Sequence, residues 1–166
     1  MIRLAKINDL ELILLIYDMA RNFMAKTGNP TQWGKTWPPK ELLIEDINNN
    51  RLYVLEDSEI YGVFALMQGS DKTYDIIEDG KWLNDKPYVT IHRIASSGKH
   101  SHILDEVVRY CFDTFMVDIR IDTHKDNITM NNALKRCGFD MCGIIYTHDG
   151  TKRIAYQREY KKGSIN

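Results

Sequence analysis

The spacing of apolar and polar positions along this chain predicts both helices and strands. Residues 2–5 have the composition of a short strand. Residues 9–26 carry apolar side chains at the three- and four-residue spacing of an amphipathic helix. We expect Asn8 or Asp9 to cap this helix and Gly28 to follow its end. Its predicted buried side consists of Leu12, Ile13, Ile16, Met19, Ala20, Phe23 and Met24.

The next segments predict a second helix and a hairpin. Pro39 precedes residues 40–48, and its fixed φ suits a first helical turn. The predicted buried side of this helix is Leu43, Ile44 and Ile47. Residues 52–56 and 60–67 read as two strands joined by a turn, and a connection over residues 68–86 follows. A connection of this length inside a compact domain is usually functional or mobile.

The pattern over residues 88–146 is the most informative, because it twice brings a strand end to a helix start. A strand at 88–95 leads through a polar loop into a helix from Ser101. A strand at 118–123 leads through a second polar loop into another helix. The first backbone N–H groups of a helix lack internal partners and favour an anionic group. We therefore expect a place for a phosphorylated cofactor here.

A last hairpin, residues 139–147 and 152–160, completes the predicted order of elements. The order is strand, two helices, three strands, helix, strand, helix, two strands, which predicts an α/β fold. A chain of 166 residues can bury a core as one domain without metal or disulfide support. We expect a single domain over residues 1–160 and a C-terminal tail over 161–166.

Composition narrows the classes of protein that fit. The formal net charge of −1 argues against a nucleic-acid surface, which needs a basic excess. The three cysteines form no CxxC motif, and we expect them to be reduced core residues of an intracellular protein. The apolar stretch 10–16 is too short to span a bilayer, and the N-terminus lacks a signal-peptide pattern. We expect a cytoplasmic protein without a membrane partner. His100 and His102 lack the spacing of a metal site, so no metal is expected.

The element order, together with Asn127 twelve residues before the Phe of Cys137-Gly138-Phe139, resembles the GNAT acetyltransferase superfamily. The resemblance covers nearly the whole chain, from Ile2 to Tyr160. It implies a single-domain GNAT-like fold with a mixed, mostly antiparallel sheet, helices on both faces and a splayed central strand pair. It also implies acetyl-CoA as the cofactor, with its pantetheine arm in the cleft between the splayed strands.

The resemblance assigns the cofactor contacts to backbone groups. The end of the fourth strand, Arg93, Ile94 and Ala95, would pair with pantetheine. The family's pyrophosphate loop has the pattern Q/R-x-x-G-x-G/A, in which glycines let the backbone approach the anion. In this chain Lys99 replaces Gln or Arg, His102 stands at the first glycine and Leu104 at the second small residue. The whole matching set is Lys99, His100, Ser101, His102, Ile103 and Leu104.

Asn127 and Leu134 are the informative positions of the later helix. Asn127 lies beside the helix start, where it would be an N-cap, a pantetheine contact, or both. Many family members carry a Tyr five residues before the final Phe, and it protonates the departing thiolate. Here that position is Leu134, which has no proton to donate. The resemblance therefore implies a slower reaction without this acid.

Three residues are candidates for catalysis. Acyl transfer to an amine needs a base, and His92 is the first candidate, since it lies on the strand that would flank the cofactor and histidine titrates near neutral pH. The alternative is a partly buried histidine that is hydrogen-bonded across strands. Asp122 and His124 share strand parity with Arg120 and would form a proton relay. For Asp122 the alternative is a structural ion pair with Arg93.

Aromatic and acidic side chains in predicted loops are candidates for the acceptor pocket. Trp33, Trp37 and Trp82 all fall in loops, where amphipathic rings suit a lid or a pocket. The alternative is that the loops bury their own tryptophans against the sheet. Glu78, beside Asp79 in the long connection, would attract a cationic amine.

These observations lead to one preferred function and two alternatives. The preferred function is direct transfer of an acetyl group from acetyl-CoA to a primary amine of a small molecule or peptide, by a monomer or homodimer. One alternative is a non-catalytic acyl-CoA-binding or sensing module with a degenerate pyrophosphate loop. The other is an interaction domain that binds no cofactor.

Overall fold

Seven strands and four α-helices account for the regular structure of residues 1–163, which the computed structural model describes. The strands are β1 (Ile2–Leu4), β2 (Leu52–Glu56), β3 (Ile60–Gln68), β4 (Tyr88–Ser96), β5 (Asp118–Thr123), β6 (Asp140–Tyr146) and β7 (Lys152–Arg158). The helices are α1 (Leu10–Lys26), α2 (Lys40–Asn48), α3 (Ile103–Phe115) and α4 (Ile128–Arg136). Residues 164–166, the end of the predicted tail 161–166, lie outside the described residues.

The strands form one sheet in the order β1-β2-β3-β4-β5-β7-β6. The pairs β1–β2, β2–β3, β5–β7 and β6–β7 are antiparallel. The β4–β5 pair is parallel, and its register runs from Tyr88 opposite Asp118 to Thr90 opposite Arg120. The predicted mixed, mostly antiparallel α/β fold is therefore confirmed.

Element boundaries differ from the predicted ones at two places that matter for the site. β4 runs on to Ser96 and the helix expected from Ser101 begins at Ile103, so the polar loop between them is shifted to 97–102 and is one residue longer. The connection after β3 contains a short 3₁₀-helix, Lys72–Tyr74, and a bridge between Glu78 and Ile144. Most of the connection is thus fixed by local structure.

The chain divides into two compact units. Unit 1 comprises residues 1–66 and 92–103, and unit 2 comprises residues 67–91 and the described residues from 104 onward. The second half of β4 therefore belongs to unit 1, together with β1, β2, α1 and α2. The first half of β4 belongs to unit 2, together with β5, β6, β7 and α4.

The core of unit 1 corrects the predicted buried side of α1. The helix buries Leu10, Ile13, Ile16, Tyr17 and Ala20. Leu12, Met19 and Phe23 were expected to be buried, but they are 51%, 40% and 51% exposed. The two sets form adjacent stripes on one helix, and helical spacing alone does not say which stripe faces the core. In α2, Leu43 and Ile47 are buried as expected, and Asp46 is buried with them.

The core of unit 2 includes the sheet strand β5 and one face of each of its helices. Ile119, Ile121 and Leu134 are almost fully buried there. The three cysteines, Cys111, Cys137 and Cys142, are buried thiols, in agreement with their predicted core role. Among the helices of the described residues, none has the length and apolar character needed to cross a membrane.

Candidate active site

The half of β4 that lies in unit 1 carries the first candidate base and the predicted pantetheine contacts. His92 is half-buried, and Ile94 and Ala95 are buried. Between them Arg93 has a left-handed φ of 52°, which is rare for a residue with a side chain. The carbonyl of Arg93 accepts a 2.7 Å hydrogen bond from the hydroxyl of Tyr17. The carbonyl of Arg93 is therefore occupied by a partner within the protein, and the contacts of Ile94 and Ala95 with pantetheine stay a prediction.

The Arg93 side chain has a partner within its own unit. Its Nη2 atom lies 2.5 Å from Oδ2 of Asp46, a residue of α2 with no exposed side-chain surface. Sequence analysis had considered only Asp122 as the acid beside Arg93. Asp46 gave no signal in the sequence, because an acidic residue at that position of a helix is usually solvated.

The loop after β4 turns back on itself through two serine hydroxyls. The N–H groups of Gly98 and Lys99 donate to Oγ of Ser96 at 3.0 Å and of Ser97 at 3.4 Å. Gly98 and His102 both have left-handed backbones, with φ of 81° and 62°. His102 stands where the family pattern has its first glycine, so the chain keeps a glycine-like conformation there despite the side chain. Left-handed residues of this kind occur in turns whose successive backbone N–H groups bind anions.

The side chains of this loop lie mostly in solvent. Lys99 is exposed, and its Nζ atom lies 2.5 Å from Oε1 of Glu59. The exposed ring of His100 stacks on the ring of Tyr61, with centroids 3.9 Å apart and an interplanar angle of 18°. Ser101 is also exposed. The charge that Lys99 would offer to a phosphate is thus shared with a carboxylate.

The residues that follow the loop begin α3. Ile103 is half-buried and Leu104 is 3% exposed, so the Leu104 side chain belongs to the core. Asp105 and Glu106 lie in the first turn of the helix, where acidic residues are favourable. Asp105 binds Nη2 of Arg136 at 3.0 Å. The contacts of the backbone at 94–102 with pantetheine and pyrophosphate stay a prediction, and the side chains there add little positive charge.

The start of α4 is fixed by two asparagines in unit 2. The Oδ1 atom of Asn127 accepts a hydrogen bond from the N–H of Met130 at 3.1 Å, which confirms the N-cap interpretation. Its contact with pantetheine stays a prediction. Asn131, which sequence analysis missed, donates to the carbonyls of Asn127 at 2.8 Å and His124 at 3.1 Å. Its Oδ1 atom accepts from the hydroxyl of Tyr156 at 2.7 Å.

Leu134 has no exposed surface. The position that the resemblance assigns to a proton-donating Tyr is here part of the unit 2 core. An acid at this point of α4 is therefore absent from the chemistry of this chain.

Asp122 belongs to a cluster of polar side chains in unit 2, with Tyr74 and Arg153, that the sequence did not reveal. Its Oδ2 atom accepts a 2.7 Å hydrogen bond from the hydroxyl of Tyr74. Its Oδ1 atom lies 3.8 Å from Nε of Arg153. Burial, and then the Asp122 carboxylate, raise the pKa of Tyr74 well above its ordinary value, so this phenol stays protonated. Neither Tyr74 nor Arg153 forms a recognisable motif with Asp122, because the three residues lie far apart in sequence.

The surroundings of His124 favour its neutral form. Its Nδ1 atom accepts a 3.1 Å hydrogen bond from the N–H of Asp126. Burial and the nearby Arg153 charge lower the pKa of His124. A neutral ring whose Nδ1 accepts carries its proton on Nε2. His124 is therefore arranged as a donor through Nε2.

The three tryptophans have different surroundings. In unit 1, Trp33 lies edge-on to Tyr17 with ring centroids 5.6 Å apart, and Trp37 is 46% exposed. In unit 2, Nε1 of Trp82 donates to the carbonyl of Tyr74 at 2.9 Å. The guanidinium of Arg120 lies 4.2 Å from the centroid of the Trp82 ring. Trp82 thus packs the long connection onto its own unit, which agrees with the alternative considered for it.

Glu78 is fixed to the edge strand β6. Its backbone exchanges hydrogen bonds of 2.9 and 2.8 Å with Ile144, and its Oε2 atom accepts from Tyr146 at 3.0 Å. The close approach of the Glu78 backbone to β6 requires a glycine at position 143, since a Cβ there would lie 2.5 Å from the Glu78 carbonyl oxygen. Glu78 remains exposed, so its charge is presented to solvent from a defined position. Within residues 1–163, no group of three or more His, Cys, Asp or Glu side chains could hold a metal ion.

Comparison with known proteins is informative at the level of structure. No protein-family model and no curated protein matches the chain. A GNAT-family acetyltransferase of Streptococcus agalactiae 2603 is 34% identical, with a TM-score of 0.88, over 97% of this chain and 95% of that one.

Two more distant structures share the fold. A GNAT-family acetyltransferase of Listeria monocytogenes 4b F2365 is 20% identical, with a TM-score of 0.69, over 96% of this chain and 94% of that one. A GNAT superfamily phosphinothricin acetyltransferase of Sinorhizobium meliloti, solved in complex with AcCoA, is 16% identical, with a TM-score of 0.62, over 100% of this chain and 91% of that one. With the fold, the β4 end and its loop established above, the 34% identity over almost the full length shows that the chain belongs to the GNAT family of acetyltransferases.

Proposed function

We propose that this chain transfers an acetyl group from acetyl-CoA directly to a primary amine of a small molecule or a peptide. One observation carries the proposal: His102, which stands at the first glycine of the family's pyrophosphate-loop pattern, has a left-handed backbone with a φ of 62°. The left-handed conformation costs a non-glycine residue about 1–2 kcal/mol. A protein that no longer bound acetyl-CoA would have no reason to keep it.

The donor is held mainly by backbone groups. Ile94 and Ala95 offer peptide N–H and C=O groups to the amides of the pantetheine arm. The loop of Lys99, His100, Ser101 and His102, together with the start of α3 at Ile103, offers N–H groups to the pyrophosphate. Asn127 adds its amide to this set while it caps α4. Leu104, whose side chain is buried, would contribute only its backbone to this set.

His92 is the proposed base. A primary alkyl amine has an ordinary pKa of about 10.4, so it must lose a proton before it attacks. Acetyl-CoA supplies an activated acetyl group as a thioester. The amine nitrogen bonds to the acetyl carbon, the carbon–sulfur bond breaks, and His92 takes the amine proton and then returns it to water.

The departing thiolate takes its proton from water. The core position of Leu134 leaves no phenol for this step, but a thiol with an ordinary pKa of about 8.5 is a tolerable leaving group in water. None of the buried cysteines is arranged as a nucleophile, since burial raises the pKa of Cys111 to about 12 and that of Cys137 to about 11. The transfer is therefore direct.

The acceptor is placed by the remaining candidates. Trp33 and Trp37 are proposed as ring surfaces for the acceptor. Glu78 is proposed on separate grounds, since its exposed carboxylate suits a cationic amine. Two residues orient the acceptor and relay its proton. One is Asp122, with its Tyr74 and Arg153 partners, and the other is His124, which acts through its Nε2–H. Trp82 supports this group through its packing with Tyr74. The protein would work in the cytoplasm as a monomer or homodimer.

The test is an assay of thiol release from acetyl-CoA over a panel of polyamines, amino acids, aminoglycosides and peptide N-termini. Release that depends on an amine supports the proposal. Tight binding of CoA without release from any amine in the panel would favour the acyl-CoA-binding module instead. Folded protein that shows no thermal shift with CoA or acetyl-CoA would overturn both and favour an interaction domain.

A further inference from the structure

The backbone of Arg93 is strained at the point where β4 turns toward its ligand-binding end. Its φ of 52° lies in the left-handed region, inside a strand that runs from Tyr88 to Ser96. For a residue with a side chain this conformation costs about 1–2 kcal/mol and persists only where the surroundings hold it. A single left-handed residue also re-aims the peptide groups that follow it, here those of Ile94 and Ala95. Whatever holds Arg93 therefore sets the direction of these groups.

The side chain of Arg93 is held by a buried carboxylate. Asp46 has no exposed surface, and its Oδ2 atom lies 2.5 Å from Nη2 of Arg93. Its other oxygen, Oδ1, lies 3.1 Å from Nε of Arg51. A buried carboxylate is tolerated only when it is paired, and removal of its charge or of a partner is costly. Asp46 thus fixes the guanidinium of Arg93 to α2.

The carbonyl of Arg93 is held by a buried phenol on a different helix. Tyr17 of α1 has no exposed surface, and its hydroxyl donates to the Arg93 carbonyl at 2.7 Å. Burial raises the pKa of Tyr17 far above its ordinary value, so the phenol remains a hydrogen-bond donor at every working pH. The edge contact with Trp33 keeps its ring in place. Arg93 is therefore held at its carbonyl and at its side chain by two separate helices.

We propose that Tyr17 and Asp46 are positioning residues, which hold Arg93 in its left-handed conformation and thereby aim the Ile94 and Ala95 peptide groups at the acetyl donor. The inference rests on the proposed function for the identity of the ligand. The local geometry of Tyr17, Asp46 and Arg93 is independent of that function and lies within unit 1. Tyr17 and Asp46 act through Arg93, not through contact with the reacting atoms.

The variants that test the proposal are Tyr17→Phe, which removes one hydroxyl, and Asp46→Asn, which removes one charge. Ile13→Val is the matched control, because Ile13 is fully buried one turn earlier on α1 and its side chain has no hydrogen bond to give. The first readout is amide hydrogen exchange at Ile94 and Ala95 in the ligand-free protein. We expect Tyr17→Phe to speed this exchange by about tenfold or more relative to Ile13→Val. Equal exchange in the two variants would overturn the proposal, whether or not the protein is an acetyltransferase.

The second readout is the affinity for CoA by calorimetry, with KM and kcat for acetyl-CoA and for the amine. We expect Tyr17→Phe and Asp46→Asn to weaken CoA binding and raise the KM for acetyl-CoA by about fivefold to twentyfold, while the KM for the amine stays within twofold. If the residues had only a structural role, their variants would match Ile13→Val in CoA affinity, in the KM for acetyl-CoA and in the KM for the amine. That result would contradict the proposal. If Asp46→Asn fails to fold, the Tyr17→Phe variant alone tests the proposal. Absence of CoA binding in the wild type, with altered amide exchange in Tyr17→Phe, would refute the proposed function and leave the positioning role standing.

Discussion

The hydroxyl of Tyr74 donates a 2.7 Å hydrogen bond to Oδ2 of Asp122, and the Tyr74 side chain is almost fully buried. The two residues come from the long connection after β3 and from β5. The bond therefore ties that connection to the strand that carries the proposed proton relay. Because the pKa of Tyr74 is raised, the phenol donates throughout the working pH range, and Asp122 remains the acceptor.

Replacement of Tyr74 by Phe tests this bond. A hydrogen bond to a charged group contributes about 1.5–3 kcal/mol, whereas a neutral one contributes about 0.5–1.5 kcal/mol. We expect Tyr74→Phe to lower the free energy of unfolding by more than Tyr156→Phe does, since the Tyr156 hydroxyl donates to the neutral Asn131. Urea denaturation of both variants measures the difference. Equal losses would mean that the charge of Asp122 adds nothing to this hydrogen bond.

His102 tests the claim that the loop keeps a glycine-like backbone. With φ at 62°, a β-branched residue is strained further, and we expect His102→Val to lower the free energy of unfolding by about 1–2 kcal/mol. His102→Gly relieves the strain and should bind CoA at least as tightly as the wild type. Calorimetry with CoA and urea denaturation provide the two measurements. Weaker CoA binding by the glycine variant would show that the imidazole itself contacts the ligand.

Leu134 tests whether a lost acid can be restored. The side chain is fully buried, so a Tyr at this position must force a larger ring into a packed core. We expect Leu134→Tyr to cost about 1–3 kcal/mol of unfolding free energy and to leave turnover no higher than wild type. Leu134→Met conserves volume and should cost less than about 1.5 kcal/mol. Raised turnover in the Tyr variant would show that the ring reaches the reacting sulfur.

The buried thiol of Cys111 predicts a loss of stability in alkali. Burial raises its pKa to about 12, whereas an unfolded cysteine titrates near 9. Above pH 9 the unfolded chain therefore binds fewer protons than the folded one, and the free energy of unfolding falls as pH rises toward 12. The slope for one such group is about 1.4 kcal/mol per pH unit. Urea denaturation under reducing conditions at pH 8, 9 and 10 should show a shallower fall for Cys111→Ala than for the wild type, and an unchanged slope would contradict the assignment.

Trp37 and Trp82 form a contrasting pair. Trp37 is 46% exposed, whereas Trp82 is hydrogen-bonded to Tyr74 and packed against Arg120. We expect Trp82→Ala to lower the free energy of unfolding by about 2–4 kcal/mol, with a smaller effect from Trp37→Ala. If Trp37 contacts the acceptor, its variant raises the KM for the amine and leaves CoA affinity unchanged. Thermal unfolding and steady-state kinetics separate the two effects.

Much of the fold followed from local patterns in the sequence. The strand at 118–123 and the helix at 40–48 were predicted with the bounds that the structure shows, because alternation and capping are local properties. Gly138 adopts a left-handed φ of 75° just past α4, as a glycine after a helix end commonly does. The choice of buried stripe on α1 was wrong, because two apolar stripes were present and only tertiary packing selects one.

The site was less accessible to sequence reasoning. His102 was identified as a departure from the family pattern, but its left-handed backbone is a property of the folded loop. Asp46 and Tyr17 carry no motif, and they become meaningful only through their contacts with Arg93. Contacts between residues so far apart in sequence depend on tertiary structure, which cannot be read from a single sequence.

The most direct test of the account is the rate of thiol release from acetyl-CoA with a reactive primary amine, followed from pH 6 to pH 9 for the wild type and His92→Gln. The account predicts amine-dependent release by the wild type. It also predicts that His92→Gln depresses the rate most near neutral pH and leaves CoA affinity within about twofold, since the base acts on the amine and not on the donor. Wild-type protein that binds CoA but releases no thiol with any amine would contradict the proposed function. An unchanged pH–rate profile in His92→Gln would remove His92 from the mechanism.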